Sequence, residues 1–138
     1  MLRSKAIPTV ESFGNLRGKR VLLRVDFNIP LNPKGGIGRE ADMRIRAALP
    51  TIIYLHKNGA KIIIISHLGR PIGKDKKLSL APIAAHFGKI LKQKILFVPD
   101  AIDDGKAVDK KLAALNDGQI AVLENIRFYK GEEENNPF

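Results

Sequence analysis

The chain has 138 residues, no cysteine, 44% hydrophobic residues and a formal charge of +10 at pH 7. This length favours one domain, and the lack of cysteine excludes a disulfide scaffold and a cysteine-ligated zinc site. The first ten residues contain no apolar stretch long enough for a signal peptide. No aliphatic run approaches the roughly 20 residues of a membrane-spanning helix. We therefore expect a cytoplasmic protein without a membrane partner.

The positive charge favours an anionic partner, such as nucleic acid, anionic lipid or a phosphorylated metabolite. Alternatively, the chain is part of a longer protein whose remainder is acidic. Aromatic residues make up only 6% of the chain, and neither a basic helix nor a base-stacking platform is evident. A basic nucleic-acid-binding module therefore stays open as an alternative function, supported by the charge alone.

Aliphatic strands alternate with amphipathic helices in the first half of the chain. Residues 20–25 predict a strand, and Asp42 is predicted to cap a helix that stops at Gly59. Pro50 predicts a kink in this helix or a misplaced boundary. Residues 61–66, with a continuous aliphatic run at 62–65, predict a second strand that is covered on both faces. The predicted inward face of the helix consists of Ile45, Leu49, Ile52 and Ile53.

The second half continues the alternation. Ser79 is predicted to cap a second helix, followed by a strand at 95–98, a helix at 105–115 and a strand at 120–123. This order predicts an α/β fold: a three-layer, Rossmann-like parallel sheet flanked by helices. Covering both faces of the sheet needs more than these three helices. The predicted inward side chains are Leu80, Ile83, Ala84, Phe87, Ile90 and Leu91 in the second helix and Val108, Leu112 and Leu115 in the third.

The end of the chain carries a helix-start signal. Asn136 is a capping residue, and Pro137 suits the first helical position. Because almost no sequence follows, we expect the chain to be a truncated part of a longer protein.

Polar segments follow three of the four predicted strands. In an open parallel sheet, ligands bind beyond the carboxyl ends of the strands, and Arg44 should lie near the same edge. Guanidinium groups bind phosphate in a bidentate manner, whereas Asp26 and Asn28 suit a hydroxyl group. The rim therefore predicts a small phosphorylated hydroxy acid as ligand. The residues after the strands are Asp26, Phe27, Asn28, His67, Leu68, Gly69, Arg70, Glu124, Asn125 and Arg127.

Each of these residues also has a simpler interpretation. Asp26 and Asn28 are common turn residues, and Gly69 supplies a positive φ in turns. Arg70 and Arg127 suit a solvated surface. His56 and His86 fall within helices, where we expect surface or helix-packing roles. The acidic run at 132–134 and the basic run at 74–77 are predicted to be solvated loops.

Glycine-rich segments do not predict a nucleotide site. Residues 69–74 resemble a phosphate-binding P-loop, but one residue is missing between the glycines, and Asp75 replaces the required Ser or Thr. Residues 14–19 do not match the P-loop pattern either, and they precede a strand instead of following one. Residues 36–41 match the dinucleotide fingerprint loosely, yet they begin about ten residues after their strand.

The chain contains five distinctive strings in this order: RVDFNIP (24–30), RIRAALPTI (44–52), SHLGRP (66–71), SLAPIA (79–84) and LENIRFYKGEEENNP (123–137). Together they resemble phosphoglycerate kinase, over about residue 18 to the last residue. The resemblance implies a two-domain, monomeric glycolytic enzyme that transfers a phosphoryl group between 1,3-bisphosphoglycerate and ADP, with Mg²⁺, giving 3-phosphoglycerate and ATP. Residues 1–138 would form part of its N-terminal, phosphoglycerate-binding domain. The C-terminal nucleotide-binding domain would be absent, and this chain alone would be inactive.

The same resemblance implies roles for individual residues. Asp26 and Asn28 would hold the hydroxyl and carboxylate end of the substrate, and Arg44 would be the catalytic arginine. Met43 departs from the family, which usually has Thr or Gln there. A protein that keeps the fold but has lost the activity stays a third possibility.

The non-transferred 3-phosphate would be bound by His67, Arg70 and Arg127. One further substrate arginine of the family, and its nucleotide motifs, are not found in this sequence. No metal ligand is expected in the chain, so Mg²⁺ would be bound elsewhere with ADP or ATP. The matching motifs add three substrate-binding positions, namely Phe27, Leu68 and Gly69.

Overall fold

The computed structural model describes residues 7–29, 31–32, 34, 36–100 and 105–135. Pro30 of the RVDFNIP string and the helix-start signal at 136–137 lie outside these residues. The strands are β1 (Arg20–Arg24), β2 (Lys61–Ile65), β3 (Leu96–Val98) and β4 (Ile120–Leu123). The helices are α1 (Arg39–Lys57), α2 (Ala81–Leu91), α3 (Gly105–Ala113) and α4 (Lys130–Glu134). Short 3₁₀ helices lie at Val10–Phe13, Lys76–Leu78 and Ile126–Phe128.

The four strands form one parallel sheet in the order β1-β2-β4-β3. Leu22 of β1 pairs with Ile63 of β2, which pairs with Ala121 of β4. Because all strands run in the same direction, their carboxyl ends meet at one edge. The predicted parallel sheet is confirmed, with strand ends that differ from the prediction by one residue.

Helices cover the sheet on both faces, in three layers. Alternate residues of β2 point to opposite faces, so Ile62 and Ile64 pack with α1 and α2, and Ile63 packs with α3. The second face is incomplete over β1, where Leu22 is 63% exposed next to the buried Ile63. Within the described residues, the helices are therefore too few to cover this face, as expected.

Helix α1 begins at Arg39, so the prediction of Asp42 as its cap is wrong. Gly38 occupies the cap position without a side-chain hydrogen bond. The Asp42 carboxylate instead accepts a hydrogen bond from Arg46 Nε at 2.6 Å and lies 3.0 Å from His86 Nε2. It joins α1 to α2, a role that local sequence does not reveal.

One of the four residues predicted for the buried face of α1 lies outside it. Ile45 and Ile52 are fully buried, but Ile53 is 37% exposed. Consecutive helical residues are turned by about 100°, so Ile53 lies beside the stripe that Leu55 completes. The helix continues through Pro50 as one element.

Helix α2 begins at Ala81, with Leu80 rather than Ser79 at the cap position. The Ser79 hydroxyl still accepts a hydrogen bond from the Ala81 amide at 3.2 Å, and it donates to Glu124 Oε2 at 2.7 Å. Helix α3 ends at Ala113, before the predicted Leu115, whose side chain is nevertheless buried.

The histidines within the helices have packing roles, as predicted. His56 Nδ1 lies 2.8 Å from the carbonyl oxygen of Gly118, and His86 contacts Asp42. The basic run at 74–77 is exposed, as predicted, but its last two residues lie in the 3₁₀ helix Lys76–Leu78 rather than in a loop.

Candidate functional site

Asn125 connects the segment after β4 to the loop after β2. Its side chain is fully buried, and its Oδ1 accepts hydrogen bonds from the amides of Leu68 at 3.2 Å and Arg127 at 3.0 Å. Its Nδ2 donates to the carbonyl oxygens of Leu68 at 2.8 Å and Leu78 at 2.9 Å. Because an amide has two donors and two acceptor positions, asparagine satisfies all four groups. Asn125 therefore fixes the backbone that carries Arg127.

The loop after β1 is bound to the loop after β2 in the same way. Asn28 Oδ1 accepts a hydrogen bond from the Gly69 amide at 2.8 Å, and Ser66 Oγ accepts one from the Phe27 amide at 2.9 Å. Gly69 has a φ of +64°, and a Cβ there would lie 3.0 Å from Cδ2 of Leu78. The prediction of a positive φ at Gly69 is confirmed, and close packing is a second reason for glycine.

Asp26 serves both its own turn and a neighbouring arginine. Its Oδ1 accepts a hydrogen bond from the Asn28 amide at 3.0 Å, which is the turn that we considered. Its Oδ2 accepts a bond from Arg44 Nη1 at 2.5 Å, and Glu40 lies 3.6 Å from Arg44 Nη2. Arg44 is 41% exposed in its side chain, so its guanidinium is oriented at the rim while it is open to solvent.

Arg127 is held by acidic residues of α4. Its Nε donates to Glu132 Oε2 at 2.9 Å, and Glu133 Oε1 lies 3.5 Å from the same nitrogen. Glu132 Oε1 also accepts a bond from Arg24 Nη2 at 2.6 Å. The bond from Arg127 lowers the pKa of Glu132, and the same bond raises the pKa of Arg127. The prediction of a solvated acidic run is therefore wrong for Glu132, whose side chain is 12% exposed.

His67 lies among these charges. Burial lowers the pKa of its imidazole, and the positive charge of Arg127 lowers it further. Glu132 and Asp26 act in the opposite direction but do not reverse the shift. The net shift favours the neutral form of the imidazole, and the charges behind it come from the end of β1, the segment after β4 and helix α4.

Arg70 is an exposed cation at the same edge. It follows Gly69 directly, and among the described residues it has no carboxylate partner, unlike Arg44 and Arg127. An unpaired guanidinium offers all five of its N–H donors to an anion.

Besides Asn125, three rim positions named from the sequence have side chains that do not face the rim. Phe27 is fully buried and packs against Phe87, with ring centroids 6.1 Å apart, and Leu68 is 2% exposed. Their amides bind Ser66 and Asn125, so these two residues support the loops from the core. Glu124 accepts hydrogen bonds from the backbone at the start of α2 and from Ser79.

Arg24 and Glu132 belong to the rim but were missed by the sequence interpretation. Arg24 is the last residue of β1, and a cation at the carboxyl end of a strand was the signal available for it. The pairing of Glu132 with Arg24 gave no local signal, because the two residues lie 108 positions apart in the chain.

The described residues contain no group of three His, Cys, Asp or Glu side chains that could hold a metal ion. Among the same residues, no helix is both long and apolar enough to span a membrane.

The family model for phosphoglycerate kinase matches residues 10–138 of this chain. The chain belongs to the phosphoglycerate kinase family. A phosphoglycerate kinase from Nostoc sp. is 50% identical over 126 residues, which is 91% of this chain and 30% of the relative. One from Coprothermobacter proteolyticus is 51% identical over 121 residues, covering 87% of this chain and 30% of the relative.

Solved structures agree with this membership. Phosphoglycerate kinase from Pyrococcus horikoshii superposes with a TM-score of 0.78 and 35% identity over 93% of this chain. Phosphoglycerate kinase from Coxiella burnetii superposes with a TM-score of 0.75 and 39% sequence identity over 91% of this chain. The match spans 30% of each of those chains. Membership of this family gives no support to the nucleic-acid-binding alternative.

Proposed function

We propose that this chain is the phosphoglycerate-binding part of a phosphoglycerate kinase. The enzyme would transfer a phosphoryl group reversibly between 1,3-bisphosphoglycerate and ADP, giving 3-phosphoglycerate and ATP. The observation that carries the proposal lies at the carboxyl edge of the sheet, where Arg44 pairs with Asp26 and the charges of Asp26 and Arg127 both act on His67. Such an edge is where open parallel sheets bind their ligands.

The geometry supports a division of the substrate between two ends of the rim. Arg70 and Arg127, beside the neutral imidazole of His67, suit the dianionic 3-phosphate, because guanidinium groups bind phosphate in a bidentate manner. Asp26 and Asn28 suit the hydroxyl and carboxylate end. Their turn is fixed by the bond from the Asn28 amide to Asp26.

Arg44 is our candidate for the catalytic arginine. Phosphoryl transfer needs precise positioning and stabilisation of charge on the moving group rather than covalent chemistry by the protein. Asp26 holds one terminal nitrogen of Arg44, and the side chain stays 41% exposed. The guanidinium could therefore contact the transferred phosphoryl group without a large loss of side-chain freedom on binding.

We assign ADP, ATP and Mg²⁺ to a part of the longer protein outside this chain. The described residues contain no cluster of three or more His, Cys, Asp or Glu side chains that could hold a metal ion. The chain spans 30% of the relatives that it matches, which leaves room for a separate nucleotide-binding domain. We also propose a cytoplasmic enzyme, since a relative from Triticum aestivum, 48% identical, is named cytosolic. That the enzyme is a monomer is proposed from the family resemblance alone. This chain alone should not transfer phosphoryl groups to MgADP.

Calorimetric titration of 3-phosphoglycerate into the complete protein tests the binding site. Arg70→Ala should weaken binding by about 2–3 kcal/mol, the value of one charged hydrogen-bonded partner, or roughly 30- to 150-fold. Arg17→Ala is the matched control, because Arg17 is exposed and precedes β1, at the opposite edge of the sheet. Unchanged affinity in Arg70→Ala would move the phosphate site away from this rim.

A further inference from the structure

Glu132 bridges two arginines from different parts of the fold. Oε1 binds Nη2 of Arg24, at the end of β1, and Oε2 binds Nε of Arg127, after β4. The side chains of Glu132 and Arg127 are 12% and 18% exposed, so this ion pair is largely shielded from solvent. Shielding makes an ion pair stronger and its geometry more fixed than at an open surface.

The bond to Arg127 uses the inner nitrogen of the guanidinium. Arginine has five N–H donors, and four of them belong to the two terminal nitrogens. A phosphate is bound bidentately by two parallel N–H groups. Glu132 therefore fixes the plane of the Arg127 guanidinium at Nε and leaves its terminal nitrogens for an anion.

The same carboxylate also offsets repulsion between cations. Arg24 and Arg127 both influence the charge of His67, so they lie in one neighbourhood. The bonds from both arginines lower the pKa of Glu132 and keep the carboxylate charged at neutral pH. Glu133 is less suited to this role, since its side chain is 54% exposed and lies 3.5 Å from Arg127 Nε.

We propose that Glu132 is a positioning residue for phosphate binding, which holds Arg127 by Nε so that the terminal nitrogens meet the 3-phosphate of the substrate. This proposal rests on the proposed function. It assigns Glu132 no contact with substrate. A competing role, in which Glu132 occupies the arginines and must be displaced by the phosphate, predicts the opposite effect of its removal.

Steady-state kinetics of the complete enzyme, with 3-phosphoglycerate and ATP as substrates, separate these roles. Glu132→Gln keeps the size of the side chain but removes its charge. It should raise KM for 3-phosphoglycerate about tenfold, while kcat and KM for ATP change less than about twofold. Glu11→Gln, an exposed glutamate in the 3₁₀ helix Val10–Phe13 that precedes β1, is the matched control and should leave all three constants unchanged. A lower KM for 3-phosphoglycerate, or equal changes in both KM values, would overturn the proposal.

A double-mutant cycle tests whether Glu132 acts through Arg127. On the background of Arg127→Ala, Glu132→Gln should weaken 3-phosphoglycerate binding less than about twofold further, because its partner is already gone. If the two substitutions instead weaken 3-phosphoglycerate binding independently, so that their fold-losses multiply in the double variant, the positioning role is contradicted. If Glu132→Gln fails to fold, Glu132→Asp serves instead: it keeps the charge but is too short to reach both arginines, so it should show the same split between the KM values. Wild-type enzyme without affinity for 3-phosphoglycerate would refute the proposed function itself.

Discussion

Asn28 Oδ1 accepts a hydrogen bond of 2.8 Å from the backbone amide of Gly69, which ties the loop after β1 to the loop after β2. The two loops contribute different parts of the proposed site. Asp26 and Asn28 come from the first, and His67 and Arg70 come from the second. The relative position of the two ends of the rim therefore depends on a side chain that is also a candidate ligand.

Asn28→Asp should separate the structural role of this residue from its binding role. A carboxylate of the same size still accepts the Gly69 amide, so the free energy of unfolding should change by less than about 1 kcal/mol. The new negative charge should repel the anionic substrate and weaken 3-phosphoglycerate binding at least tenfold. Asn28→Ala loses the acceptor, so it should lower both the free energy of unfolding and the affinity for 3-phosphoglycerate. Urea denaturation measures the stability of each variant, and calorimetry measures its affinity for 3-phosphoglycerate. An Asn28→Asp protein with full affinity would contradict the assignment of Asn28 to the binding site.

Asn125→Asp should be strongly destabilising although it changes one atom. The replaced Nδ2 donates to the carbonyl oxygens of Leu68 and Leu78, and a carboxylate oxygen would face both of them without a proton. We expect a loss of about 2–4 kcal/mol in the free energy of unfolding, from two unsatisfied buried carbonyls and one buried charge. Asn116→Asp, at an exposed position, is the control. Equal stability of the two variants in urea would show that the Asn125 network is not needed.

The pKa of His67 gives a pH dependence with a definite sign. Burial and Arg127 lower this pKa in the folded protein below its ordinary 6.5, so the unfolded chain binds more protons just below pH 6.5. The contribution of His67 to stability is therefore constant above pH 6.5 and is lost as the pH falls towards the folded pKa. Unfolding measured at pH 7.5 and 5.5 should show a smaller loss in His67→Gln than in wild type. Side-chain NMR that places the pKa of His67 above 6.5 in the ligand-free protein would reverse this prediction.

The two faces of the sheet should respond differently to truncation of aliphatic side chains. Ile64 is fully buried beneath α1 and α2, whereas Leu22 is 63% exposed on the face that is incomplete over β1. In this chain, Ile64→Ala should cost about 2–5 kcal/mol, the usual range for a buried isoleucine, and Leu22→Ala less than about 1 kcal/mol. Chemical denaturation of both variants provides the comparison. A large cost for Leu22→Ala would mean that this face is covered in solution.

Features with a local cause were predictable from the sequence. A continuous aliphatic run, such as the one within residues 61–66, indicates a strand that is buried on both faces. A glycine after a strand suits a turn with positive φ, as Gly69 shows. The start of α1 was missed because Asp42 resembles a cap, while its carboxylate is used by His86 on another helix. The pairing of Glu132 with Arg24 depends on tertiary structure across 108 residues, which no local pattern encodes.

The site was predictable in its location more than in its construction. Parallel strands bring their carboxyl ends to one edge, so the sequence could assign Asp26, His67 and Arg127 to one rim. It could not show that the Phe27 and Leu68 side chains point into the core, because motif positions do not distinguish a side chain that contacts a ligand from one that supports the loop.

A crystal structure of the complete protein with 3-phosphoglycerate tests the central claim most directly. We predict phosphate oxygens within about 3.2 Å of guanidinium nitrogens of Arg70 and Arg127, and the hydroxyl group of the ligand against Asp26. Glu132 should keep its bond to Arg127 Nε in that complex. A phosphate bound away from both arginines would contradict the assignment of this rim as the phosphoglycerate site.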